Sequence, residues 1–132
     1  MSDNTCKNCA DCASCGELEK SVTELNGMIK AGKVLEAFDK FYADNVTMQE
    51  NNDAPRVGKA ENRKAEEAFV GGIQEFGTWT PLSVGIGDGV AFVEWTCTFK
   101  HKEWGQVTMN QVSVQHWKDG KIVSERFYYS KK

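Results

Sequence analysis

The spacing of hydrophobic residues changes near Thr78 of this 132-residue chain, and the change limits the folds that the chain can adopt. Before Thr78 the apolar residues recur with the period of amphipathic helices, and after it they alternate with polar residues as in half-buried strands. Helices followed by strands are typical of an α+β domain and not of a parallel α/β fold. The length corresponds to a single domain with a substantial core.

The part of the chain before Thr78 contains three helical patterns and one short strand. The first helix carries its apolar residues on one face and ends at Gly32: Leu18, Val22, Leu25 and Ile29. The remaining elements follow in this order: a second helix at about 34–44, a strand at 46–50, a polar loop at 51–55 and a third helix at about 59–76.

After Thr78 the alternation predicts an antiparallel meander of four strands. They lie at about 79–86, 90–101, 106–117 and 121–129, separated by short glycine-containing breaks at 87–89, 103–105 and 118–120. Both faces of this sheet carry apolar residues, and the helices can cover only one of them. We therefore expect a homodimer through the outer sheet face, the alternative being scattered apolar side chains in water.

Composition and charge exclude two classes of partner. Lys and Arg number 16 and Asp and Glu number 19, which gives a net charge of −3 and no basic field for a nucleic acid. No apolar run approaches the roughly 18 residues that a membrane span needs. The first fifteen residues lack the apolar core of a signal peptide, so the expected location is the cytoplasm, where thiols stay reduced.

The chain divides into a cysteine-rich prefix, residues 1–16, and a folded domain, residues 17–132. The prefix repeats one residue type at every third position: Cys6, Cys9, Cys12 and Cys15. Four thiolates are the ligands of a tetrahedral Zn²⁺ site or, as a weaker match, of an iron–sulfur cluster. Since one helix cannot wrap four ligands around an ion, metal binding requires a loop here; local disulfides and a free, reduced tail are the alternatives.

Two motifs resemble one known family. The first is the run LEAFDKFYADNVTMQE at 35–50, which passes from a helix through YADN into a strand, and the second is WKDGKIV at 117–123, a turn before the last strand. With the order of elements over about 18–130, they are similar to the NTF2-like superfamily and, within it, to SnoaL-like proteins. The resemblance implies a cystatin-like cone, in which a strongly curved antiparallel sheet encloses the helices and leaves a pocket, and it implies a homodimer. Members include ketosteroid isomerase-like and polyketide cyclase-like enzymes and proteins without known activity.

The resemblance to ketosteroid isomerases places a general base at Glu50, at the end of the first strand. A carboxylate there could take a proton from a bound substrate, whereas the alternative is a solvated residue that begins a polar loop. The other two isomerase positions fall at Leu25 or Asn26 and at Ser113, which lack the tyrosine and the carboxylic acid that stabilise an oxyanion. Steroid isomerisation is therefore not expected.

The predicted pocket face combines a few polar groups with an apolar wall, as small-molecule sites do. Its polar members are Glu50, Glu94, Gln111, Ser113 and Glu125, and its apolar members are Met48, Phe92, Met109, Phe127 and Tyr129. Two neighbouring glutamates would repel each other and keep one carboxyl protonated, which supplies an acid beside a base.

From this face we expect a pocket for a small hydrophobic molecule that requires no cofactor. Its candidate catalytic residues are Glu50, Glu125 and Glu94, in an isomerase, cyclase or hydrolase type of reaction. Two alternatives stay open at this stage. One is a non-catalytic ligand-binding domain, and the other is a dimer scaffold with a four-cysteine metal-binding segment in its prefix.

Overall fold

Three helices lie against a six-stranded sheet in the computed structural model, which describes residues 13–130 and the side chains from residue 16 onward. The elements are α1 (Ala13–Lys30), α2 (Val34–Phe41), β1 (Tyr42–Glu50), β2 (Arg56–Val57), α3 (Lys59–Gly72), β3 (Ile73–Ile86), β4 (Val90–His101), β5 (Gly105–Lys118) and β6 (Lys121–Tyr129). The curved, unclosed sheet has the order β2-β1-β6-β5-β4-β3. β1 and β6 run parallel, and all other neighbours are antiparallel. The predicted α+β cone is confirmed.

The first two helices form where the apolar pattern predicts them. α1 ends at Lys30 and is followed by a turn at Gly32, whose φ of +87° suits a residue without a Cβ. The N–H groups of Gly32 and Lys33 donate to the carbonyls of Ile29 and Met28 at 3.0 and 2.8 Å, which satisfies the last turn. α2 passes directly into β1 at Tyr42, so the strand begins four residues earlier than the predicted position 46.

The boundary between α3 and β3 was predicted wrongly. The helix ends at Gly72 and not at about 76, and the strand starts at Ile73 and not at about 79. Two contacts explain the early end: the carbonyl of Gly72 accepts a hydrogen bond from the Lys102 amide at 2.8 Å, and Ile73 pairs with His101 of β4. The backbone of Gly72 lies so close to the His101 ring that a Cβ would not fit.

The meander of β3 to β6 is confirmed, with all three glycine-containing turns in place. The tightest joins Lys118 to Lys121 through Asp119 and Gly120, which have φ values of +53° and +78°. This two-residue turn matches the right-handed twist of the strands that it connects.

The core lies between the helices and one sheet face, called here the inner face. It includes Leu25 of α1, Val46 of β1 and Val93 and Phe99 of β4, none of them more than 2% exposed. The opposite, outer face leaves large apolar side chains in solvent: Phe92, Val112 and Tyr128 are 38–45% exposed.

The cysteine-rich prefix is mostly outside the described residues. Cys6, Cys9 and Cys12 lie outside, and for Cys15 only the backbone is described, within α1. α1 begins at Ala13 and so crosses the predicted boundary after residue 16, while the zinc site stays a prediction. Within residues 13–130, no cluster of three His, Cys, Asp or Glu side chains is arranged to hold a metal ion. In the same part of the chain, no helix has the length and hydrophobicity to cross a membrane.

Candidate functional site

A buried carboxyl, that of Glu125, lies at the centre of the inner face. β6 pairs Glu125 with Gln115 of β5 on one side and with Met48 of β1 on the other. The residue is 3% exposed. Its carboxylate accepts hydrogen bonds from the Tyr42 hydroxyl, from Ser113 Oγ at 2.5 Å and from Gln115 Nε2 at 3.1 Å. All three donors are neutral, so this carboxyl has hydrogen bonds but no ion pair.

The strand β5 holds these donors in a fixed orientation. Ser113, Gln115 and Trp117 all face inward because alternate residues of a strand share a face. Trp117 Nε1 donates to Gln115 Oε1 at 3.1 Å, so the amide group of Gln115 turns its Nε2 toward Glu125. Burial raises the pKa of Glu125, and the hydrogen bonds from Ser113, Tyr42 and Gln115 oppose that rise. Burial, with the nearby Glu125, also raises the pKa of Tyr42 well above its usual range.

A second carboxyl, that of Glu66, faces the same region from α3. Glu66 lies one helical turn after Asn62, which is fully buried and donates from Nδ2 to the Val46 carbonyl of β1 at 3.3 Å. Burial raises the pKa of Glu66 to about 7; the Glu125 charge adds to the rise, Arg56 opposes it and Glu50 contributes a smaller increase. Among the described residues, none donates a hydrogen bond to this half-buried side chain.

A third carboxyl, that of Glu50, is the most accessible of the three and lies at the end of β1. Its Oε1 accepts a hydrogen bond from the Tyr129 hydroxyl, and its Oε2 lies 3.4 Å from Arg56 Nη2, with 35% of the side chain exposed. Arg56 in turn donates from Nε to Asn62 Oδ1 at 3.1 Å. Burial and the hydrogen bond to Glu50 raise the pKa of Tyr129. Glu50 is therefore a held carboxylate that solvent can reach.

Most of the residues predicted to share the inner face do so. Strand register and burial place these predicted residues there: Met48, Glu50, Met109, Gln111, Ser113, Glu125, Phe127 and Tyr129.

The predicted positions of Phe92 and Glu94 on this face are wrong. β4 pairs Phe92 with Val114 and Glu94 with Val112, so both lie on the outer face. Phe92 is 45% exposed, and Glu94 accepts a hydrogen bond from Ser83 Oγ at 2.8 Å. The error is one of register: Ser113 faces Val93, and a one-residue difference moves a side chain to the other face.

The sequence interpretation missed four residues that contact or influence the carboxyls: Tyr42, Arg56, Glu66 and Gln115. Glu66 had a detectable signal, because it lies three residues before Phe69 and so near the apolar stripe of α3. Tyr42 falls within the helix predicted at about 34–44, where the sequence does not distinguish a hydroxyl with a polar partner from a core aromatic. Arg56 lies in a two-residue strand, which is too short for its pattern to be recognised among the neighbouring loop residues of the sequence.

Two surface concavities lie outside this group of carboxyl side chains, one distant from them and one on the opposite face of the sheet. One, of about 300 Å³, lies where α1 meets the turns before β4 and β6 and includes Leu18, Asp88 and Trp117. The other, of about 260 Å³, lies on the outer face and includes Val114, His116 and Tyr128.

Comparison with known proteins identifies the family. The model of the SnoaL-like domain matches residues 22–125. Among solved structures, a protein from Mesorhizobium loti provisionally named a SnoaL-like polyketide cyclase (carbohydrate phosphatase) is 23% identical, with a TM-score of 0.73 over 85% of this chain and 98% of that chain. An NTF2-like protein of unknown function from Burkholderia pseudomallei has 14% identity and a TM-score of 0.74 over 86% and 91%.

A third structure, an LEH-like epoxide hydrolase from M. tuberculosis, is 14% identical, with a TM-score of 0.71 over 87% of this chain and 84% of that chain. No curated protein matches the chain in sequence. The solved structures share the fold, and the family model covers most of the sequence. The chain belongs to the SnoaL-like domain family and has its NTF2-like fold.

Proposed function

We propose that this protein binds a small apolar molecule beside Glu50 and moves a proton on it, with Glu50 as the base and Glu66 as the proton donor. One observation carries the proposal: an accessible carboxylate paired with Arg56 and a carboxyl whose pKa lies at about 7 face one region of the inner face. Acid/base catalysis commonly uses two carboxyls whose environments give them different pKa values, so that one is protonated while the other is ionised.

The proposed step is a balanced proton transfer. The Glu50 carboxylate takes a proton from a carbon or from a water molecule, and Glu66 gives its proton to an oxygen of the ligand. Arg56 and Tyr129 keep Glu50 in place, since both contact its carboxylate. Met109 and Phe127 are partly buried and supply apolar surface on the same face, which favours a hydrophobic ligand, whereas Met48 is buried in the core.

The names of two structural relatives support a catalytic role. One is provisionally a polyketide cyclase and the other is an epoxide hydrolase. Because a fold hosts many functions, these names favour an enzyme but do not fix the reaction. The choice among isomerase, cyclase and hydrolase chemistry therefore depends on direct assays.

Two probe reactions test the assignment. Ring opening of 5-nitrobenzisoxazole needs only a base, whereas hydrolysis of styrene oxide also needs a proton for the oxygen that leaves carbon. We expect Glu50→Gln to slow both reactions by roughly 10²-fold or more, and Glu66→Gln to slow mainly the hydrolysis. Glu94→Gln, on the outer face, is the matched control and should retain both rates. Equal losses in Glu94→Gln and Glu50→Gln, or binding of both probes without turnover, would contradict the proposal.

We further propose that the protein is a homodimer that assembles through the outer sheet face and works in the cytoplasm. Phe92, Val112 and Tyr128 form an apolar surface that a second copy can cover. The buried Cys97 is a free thiol, which is compatible with a reducing compartment.

A further inference from the structure

The carboxyls of Glu125 and Glu66 differ in the hydrogen bonds that they receive. Glu125 accepts three, from a tyrosine, a serine and an amide, while no described residue donates one to Glu66. Hydrogen bonds from donors favour the ionised form of a carboxyl, and burial disfavours it. When two such groups interact, the one with the donors loses its proton first and the other retains it.

Four ionisable groups from three strands lie near Glu66. They are Glu125 of β6, Glu50 and Tyr42 of β1, and Arg56 of β2. Arg56 is the one cation of this group, and its guanidinium lies 3.4 Å from Glu50. None of the described cations contacts Glu125, so a charge on that carboxyl would act on Glu66.

We propose that Glu125, fixed by its three hydrogen-bond donors, is a positioning residue whose negative charge keeps Glu66 protonated, so that Glu66 is the proton donor of the site. The donors that fix Glu125 are themselves fixed: Trp117 orients Gln115, and Tyr42 lies at the junction of α2 and β1. These hydrogen bonds therefore fix the position of the Glu125 carboxyl, deeper in the inner face than the accessible Glu50. The use of this proton in catalysis rests on the proposed function, whereas its location on Glu66 is inferred independently of that function.

A titration by NMR tests the location of the proton without a substrate. The full-length protein is labelled with ¹³C at the glutamate carboxyls, and the pKa of Glu66 is measured in the wild type, in Glu125→Gln and in Tyr42→Phe. Glu125→Gln removes the charge, and Tyr42→Phe removes a donor so that Glu125 ionises less readily. In both variants we expect the pKa of Glu66 to fall, in Glu125→Gln by about one unit, which is a tenfold loss of proton affinity.

The matched control is Glu94→Gln, which removes an outer-face carboxyl and should leave the pKa of Glu66 unchanged. Amide spectra of each variant report whether the fold persists, and Ser113→Ala replaces Glu125→Gln if that variant does not fold. An unchanged pKa of Glu66 in the folded variants, or an ordinary pKa of Glu66 in the wild type, overturns the inference.

The outcomes for the two proposals remain distinct. An unchanged pKa of Glu66 in Glu125→Gln, in a protein that turns over styrene oxide, rejects the positioning role alone. A raised pKa of Glu66 that falls in Glu125→Gln, in a protein without any turnover, rejects the proposed function alone. If both proposals hold, the high-pH limb of the pH–rate profile of Glu125→Gln moves to lower pH together with the pKa of Glu66.

Discussion

Three consecutive inward positions of β5 carry polar atoms where a small cone would otherwise place only apolar side chains. Ser113 and Gln115 are at most 2% exposed, and both direct a donor to Glu125. A buried polar group is costly unless it has a hydrogen-bond partner, and here each donor has one. Among the described residues, the polar cluster therefore fits inside the core without an ion pair.

The raised pKa of Glu66 makes the stability of the fold depend on pH. Burial, reinforced by Glu125, raises this pKa from 4.5 to about 7, so the folded chain binds a proton that the unfolded chain releases between those values. The stabilisation is complete below pH 4.5 and is lost as the pH rises through 7, by roughly 2 kcal/mol. Glu66→Gln should reduce the decrease in the free energy of unfolding between pH 5 and pH 8, as measured by urea denaturation. Glu61→Gln, at an exposed position of the same helix, should leave that decrease unchanged. An equal decrease in the two variants would contradict the assignment.

The elements themselves were more predictable than their ends. The period of the hydrophobic residues located α1, α2 and the strands β3 to β6, because side-chain burial repeats regularly along each of these elements. The end of α3 was not visible in that period, since Ile73 and Phe76 continue the helical stripe while Gly72 is drawn into contact with His101. The sequence pattern also did not show which residues of β4 and β5 share a face. The register of these strands places Val93, and not Glu94, beside Ser113. Register depends on contacts between segments that are distant in the sequence. The sequence therefore predicted the face on which Glu50 and Glu125 lie, but not the presence of Glu66 opposite that face.

The end of α3 allows a direct test of this packing. A Cβ at Gly72 would overlap the His101 ring, whereas a Cβ at Gly71 meets nothing within 4 Å. We expect Gly72→Ala to lower the free energy of unfolding by about 1–3 kcal/mol through overpacking. Gly71→Ala should be neutral or stabilising by up to about 1 kcal/mol, because alanine favours a helix. Urea denaturation measures both variants, and a Gly72→Ala protein as stable as Gly71→Ala would show that the contact is relieved without cost.

For the whole molecule, the proposed homodimer through the outer face is open to a charge test. A carboxylate introduced at Val112, which is 38% exposed in a single chain, would become buried and unpaired in the dimer. We expect Val112→Glu to shift the protein from dimer to monomer in size-exclusion chromatography with light scattering. The matched control is Ala60→Glu, which adds the same charge on an exposed position of α3. A wild-type monomer, or a dimer that survives Val112→Glu, would reject the interface.

The parallel pairing of β1 with β6 ties an early segment of the chain to one of its last. Tyr42 and Glu125, which meet there, are separated by 83 positions in the sequence. A contact of that range carries a large loop-closure entropy and forms late in folding. A chain still emerging from the ribosome lacks β6, and with it both Glu125 and the hydroxyl of Tyr129 that holds Glu50. Any activity at these carboxyls therefore requires that β6 has been synthesised and has paired with β1, so products truncated before β6 are inactive even where their helices have formed.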